Sequence, residues 1–115
     1  MSNKYVMDHD WLDNRIDAPA TVRLTVSGAN ARAAVQAWFD ELATDQLGVR
    51  GRGGWMVQEV TDVAKSTPDE VVVDITSGGE DVADSIEDAT TDAFDLFDAM
   101  GFELTWVNRP RVESR

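Results

Sequence analysis

The chain has 115 residues, 43% of them hydrophobic, enough apolar material for one domain with a single core and no covalent staples. It contains no cysteine, which excludes disulfides, thiolate nucleophiles and cysteine-type zinc sites together, and a reducing compartment, the cytoplasm, is expected. Twenty-two acids against ten Lys and Arg leave a formal charge of -12, which argues against direct contact with nucleic-acid phosphates or anionic lipid and favours basic or neutral partners.

Residues 1–20 read as a polar leader, either a flap or a loose arm, with Asp8, Asp10, Asp13 and Asp17 set among Tyr5, Met7, Trp11, Leu12 and Ile16. Met7, Trp11 and Ile16 can line a helix of one or two turns that ends before Pro19. The leader has no basic stretch followed by an apolar run, and no window of the chain approaches ~18 apolar residues, so neither a signal peptide nor a membrane span is expected.

"TVRLTV", residues 21–26, alternates Val22, Leu24 and Val26 with Thr21, Arg23 and Thr25, the pattern of a strand with one buried face. After the turn "SGAN", Ser27 or Asn30 can cap a helix through about residue 43, where Ala31, Ala34, Val35, Trp38 and Leu42 recur at three and four, with Phe39 widening the stripe. "TDQLGVRGRGG" reads as a loop, and "WMVQEVTDVA", 55–64, as a second strand with a bulge near Glu59 where the alternation slips. "KSTPDE" predicts a turn and "VVVDITS" a third strand, with Val71, Val73 and Ile75 on one face. Ser77 and Glu80 stand in capping-box register before a helix that runs to about Met100 and stops at Gly101. "FELTWV" closes the domain as a fourth strand, Phe102, Leu104 and Trp106 on its inner face, and residues 109–115 are expected to be a disordered tail.

The order strand, helix, strand, strand, helix, strand over residues 21–108 predicts an α+β domain of ferredoxin-like βαββαβ topology, a four-stranded antiparallel sheet with two helices on one face. That topology hosts enzymes, RNA binders, metabolite sensors and interaction modules alike, so function has to be argued from the residues.

Catalytic constellations are lacking. His9 is the sole histidine, and no spacing sets a serine or threonine beside it, so a non-enzymatic protein is expected. "DHDWLD" lacks the glycine and bidentate glutamate of a calcium loop, and neither a metal nor another cofactor is expected. Arg50 and Arg52 in "GVRGRGG" neither follow a strand nor open a helix, as a phosphate cradle requires. They suit a flexible connection, an anion contact, or pairing with acids of the same molecule. "VSGANARAAV" sets a turn against a helix N-terminus where a small carboxylate can rest. RNA binding through the sheet needs aromatic residues on the open faces of the first and third strands, and neither strand supplies one.

The most unusual stretch is "EDVADSIEDATTDAFDLFD", residues 80–98, with eight acids and no base. On helical spacing Val82, Ile86, Ala89, Ala93, Phe97 and Met100 form a buried stripe, with Phe94 and Leu96 at its borders. Asp81, Asp84, Asp88, Asp95 and Asp98 then run down the opposite face, flanked by Glu80, Glu87 and Asp92. Acids in the first turn favour the helix dipole, whereas Asp92, Asp95 and Asp98 approach its negative end beside like charges, at ~0.2–0.5 kcal/mol per neighbour. Eight carboxylates over about 27 Å give about one charge per 3.4 Å, the spacing of phosphates along one DNA strand. The expectation is an acidic interaction protein, a nucleic-acid-mimic inhibitor, whose second helix docks through Asp81, Asp84, Asp88, Asp92, Asp95 and Asp98 on the basic, nucleic-acid-binding surface of a partner. Two alternatives stand beside it. One is a ligand-binding or regulatory domain that forms a homodimer through its open sheet face at Met56, Val72 and Val107, and the other is a salt-adapted domain whose acids have no special role.

Overall fold

The computed structural model describes residues 4–13, 19–44, 50–52, 54–60, 69–77 and 82–109. In chain order these form α1 (His9–Asp13), β1 (Ala20–Ser27), α2 (Ala31–Glu41), β2 (Ala43–Thr44), β3 (Arg50–Arg52), β4 (Trp55–Glu59), β5 (Glu70–Ser77), α3 (Val82–Ala99) and β6 (Glu103–Asn108). The protein is α+β, and every neighbouring pair in its sheet, ordered β2-β3-β4-β5-β1-β6, is antiparallel.

Alternation along the strands sets the layers. Val22, Leu24 and Val26 of β1 and Val71, Val73 and Ile75 of β5 are fully buried on one face. All of these but Val22 share one core with Val35 and Trp38 of α2 and Ala89, Ala93 and Phe97 of α3, so both long helices cover the same side of the sheet. Each fully buried Val, Leu, Ile or Phe contributes roughly 1.5–3 kcal/mol relative to exposure, and this shared face is the main source of stability.

The expected four strands and two helices understate the architecture. The segment expected as a loop carries β2 and β3, which extend the sheet beyond β4, and α1 adds a third helix. Gly51 allows this extension, since a Cβ there would lie 2.2 Å from the carbonyl oxygen of Trp55 on the adjoining strand. The expected bulge is not formed between Trp55 and Glu59, because β4 pairs with β5 one residue for one. Glu59 instead keeps the helix side of the sheet, opposite Val73, where its carboxylate meets Arg32 of α2 at 2.7 Å. The segments 61–68 and 110–115, expected to hold the turn and most of the tail, lie outside the described residues.

The helix ends also differ from expectation. Asn30 occupies the N-cap of α2 in a left-handed conformation without a side-chain capping bond. Its backbone N–H donates to the Asp69 carboxylate at 3.1 Å, and the Gly28 N–H donates to the Asp69 carbonyl at 2.8 Å, so a residue before β5 supplies the anion at this helix start. Ser77 does not cap α3. It ends β5, paired with Ala20 and Trp55, and its fully buried Oγ has no partner among the described residues. The C-terminus of α3 agrees closely with its sequence. Phe102 N–H donates to Phe97 O and Gly101 N–H to Asp98 O, Gly101 takes φ 85°, and the Phe97 and Phe102 rings meet edge-on, as in a Schellman motif with its apolar contact. Met100 falls in this turn and is 53% exposed, outside the buried stripe assigned to it.

Residues 4–13 pack as a flap. Leu12 is buried with Ala20, Val22 and Ile86, and Tyr5, Met7 and Trp11 close over them. The Trp11 Nε1–H donates to Arg109 O at 2.7 Å, and the Tyr5 hydroxyl donates to Asn108 Oδ1 at 2.6 Å. Asp8 accepts the Trp11 backbone N–H at 3.1 Å, an N-cap for α1. Ile16 lies outside the described residues.

Candidate functional site: the acidic face of α3

Apolar residues at three and four turn α3 onto the sheet and thereby fix where its carboxylates point. Asp84, Glu87, Asp88 and Asp95 are exposed, Asp92 and Asp98 are half-buried on the flanks, and Asp81 lies outside the described residues. From Val82 to Ala99 the helix has six acids and no Lys or Arg, and no basic residue stands in its last turn.

Two of the six hold buried indoles of the core. The Trp55 Nε1–H of β4 donates to Asp88 Oδ2 at 2.8 Å, and the Trp38 Nε1–H of α2 donates to Asp92 Oδ2 at 2.9 Å. Both rings are at most 2% exposed and stack with centroids 6.0 Å apart at 26°. A buried indole N–H left without an acceptor costs about 1–3 kcal/mol, and a bond to a charged acceptor contributes about 1.5–3 kcal/mol. Asp88 and Asp92, one helical turn apart, therefore rivet α3 to β4 and α2. Sequence reasoning assigned both to partner binding alone. The signal it missed was chemical, because two tryptophans placed in the core each require an acceptor and the nearest helix flank offers only carboxylates.

Asp84, Glu87 and Asp95 make no ion pair among the described residues. Arg23, Arg32 and Arg50 are directed elsewhere, to Asp74 at 2.8 Å, Glu59 at 2.7 Å and Asp40 at 3.5 Å. The Arg50 guanidinium also donates to Phe39 O at 2.7 Å, so it serves the C-terminal end of α2, which is self-pairing, one of the three roles left open for that segment, rather than a flexible connection. The side chain of Arg52 lies outside the described residues.

The other candidates find internal roles. The start of α2, where a small carboxylate was expected to rest, already holds the Asp69 carboxylate. Among the described residues no group of three His, Cys, Asp or Glu is placed to hold a metal ion, and no helix is long and apolar enough to cross a membrane. The open faces of β1 and β5 present Thr21, Arg23, Thr25, Val72, Asp74 and Thr76, without an aromatic ring. No protein-family model, curated protein or solved structure matches the chain.

Proposed function

We propose that the chain is a non-enzymatic interaction protein whose α3 docks on the basic surface of a partner that otherwise binds nucleic acid, and competes for that surface. The observation that carries this reading is an 18-residue helix with six carboxylates and no cation, anchored by Trp38 and Trp55, while the described arginine pairs form elsewhere. From Asp84 to Asp98 the six acids span about 21 Å, about one charge per 3.5 Å, close to the phosphate spacing of a DNA strand. The indole bonds occupy one oxygen each of Asp88 and Asp92, and a carboxylate can accept further bonds on the other. A face held this firmly meets a cationic groove with little ordering cost.

The fold reading that accompanies it is ferredoxin-like. The order β4-β5-β1-β6 of the longer strands supports that reading, with β2, β3 and α1 taken as additions.

The test uses Asp84→Asn/Glu87→Gln/Asp95→Asn, which neutralises exposed acids and spares the two that hold the indoles. Proteins captured on the wild-type chain at low salt should be basic, should be released at high salt, and should bind the triple variant at least tenfold more weakly. A purified captured protein should lose its bound DNA duplex as the wild-type chain is added. Full affinity in the triple variant would show that the acidic face is not the docking surface.

A further inference from the structure

The sheet face turned away from α2 and α3 is built differently from the rest of this acidic molecule. Across its middle, register places Gln58, Asp74, Arg23 and Val107 side by side on four consecutive strands, and Met56, Thr76 and Thr21 form the next row. Arg23 and Asp74 are bonded twice, Nε to Oδ1 at 2.8 Å and Nη2 to Oδ2 at 3.1 Å, so the middle row is charge-balanced on a chain of net charge -12, and the acids Glu70 and Glu103 stand in the end row beside Ser27. The Thr21 and Thr76 hydroxyls bond each other at 3.0 Å. Met56 and Val107, 42% and 48% exposed, flank the ion pair with apolar area.

We propose that this face pairs with the same face of a second copy about a two-fold axis. In the middle row a basic partner would find no net charge to match, and nucleic acid would find no aromatic platform and a cation already bonded to Asp74. A second copy fits because the bidentate pair is self-complementary under two-fold rotation, Arg23 of one copy approaching Asp74 of the other. The four strands, of 5, 8, 8 and 6 residues, at ~3.4 Å per residue and ~4.8 Å spacing give about 440 Å² per copy, hence ~900 Å² in all, the size of a weak, transient interface. Such a dimer is reversible, and it leaves both α3 helices on its outer sides. Its salt dependence is opposite to that of docking through α3: two chains of like charge associate more tightly as salt screens them, whereas docking on a basic surface weakens.

The experiment is sedimentation of the full chain from about 1 to about 500 µM in dilute and in roughly half-molar potassium chloride. The mass should rise from 12.7 kDa toward twice that value, at lower concentration in the higher salt. Met56→Asp/Val107→Asp, at two exposed positions, should remain at the monomer mass throughout with an unchanged circular dichroism spectrum, and Asp84→Asn/Asp95→Asn should still dimerise. A wild-type chain that stays monomeric in both salts, or association undiminished in the Met56/Val107 variant, overturns the proposal. Because that variant keeps α3 intact, its binding to a basic partner is read separately and bears only on the function proposed above.

Discussion

A tryptophan ring carries about 200 Å² of apolar surface and one N–H that water no longer serves once the ring is buried. Here Asp88 and Asp92 meet that need for Trp55 and Trp38, which separates the acids of α3 into two kinds. Asp88→Ala or Asp92→Ala should destabilise the protein by about 1–3 kcal/mol in chemical denaturation, since each strands a buried donor, with a smaller loss for Asn, which keeps an acceptor without the charge. Asp84→Asn and Asp95→Asn should stay within about 0.5 kcal/mol of wild type, or gain slightly from relief of like-charge repulsion. A second residue-scale prediction concerns Tyr5, the sole tyrosine. Burial, assisted by the Asp8 carboxylate and opposed by the bond to Asn108, pushes its hydroxyl up to about 12. The neutral phenol is therefore favoured in the folded state, and its contribution is complete below about pH 10 and lost as pH rises from about 10 to 12. Tyrosinate absorbance should titrate with a midpoint near 12; a midpoint near 10 would mean that the flap does not shield the ring. At this scale the sequence showed which residues were apolar and which were acidic, but the pairing of an indole with a carboxylate 33 or 54 positions away is a property of the packed helix and sheet.

At the scale of elements, legibility followed regularity. The alternation of β1 and β5, the three-four spacing of α2 and α3, and the Gly101 stop all appear where the pattern put them. Short pieces escaped notice because two or three residues cannot show a period, and a segment as glycine-rich as "GVRGRGG" reads as a loop until the neighbouring strand pairs with it. The cap of α2 escaped for a different reason, since Asp69 is 39 residues from Asn30 and no local motif records it. Asp69→Ala should cost ~0.5–2 kcal/mol, comparable with losing a local cap, and should lower the thermal midpoint with little change in helix content at 25 °C. Gly51→Ala should be more harmful than Gly101→Ala. The first drives a methyl into the Trp55 carbonyl, whereas at Gly101 nothing lies within 4 Å and the penalty is that of a left-handed alanine, about 1 kcal/mol. Denaturation midpoints of the two variants check that order.

For the whole molecule, charge is the dominant variable. With a net charge of -12 the folded state is under self-repulsion, and moderate salt should raise the thermal midpoint by screening it. Circular dichroism in dilute buffer distinguishes a domain that needs molar salt, which would unfold there, from the interaction protein proposed here, which should stay folded because its core of Val, Leu, Ile, Trp and Phe is continuous across the sheet. The composition predicted acidity but not its distribution, which depends on the topology that turns α3 outward and gathers Arg23 and Asp74 on the opposite face. The stacked pair of Trp38 and Trp55 has an optical consequence. Two close indoles in a fixed arrangement, each with its N–H held by a carboxylate, sit in asymmetric surroundings that give near-ultraviolet circular dichroism, a reporter built into the back of the acidic helix. A cation drawing Asp88 or Asp92 outward would alter that near-ultraviolet signal, so engagement of the unlabelled protein can be followed by eye of the spectrometer alone.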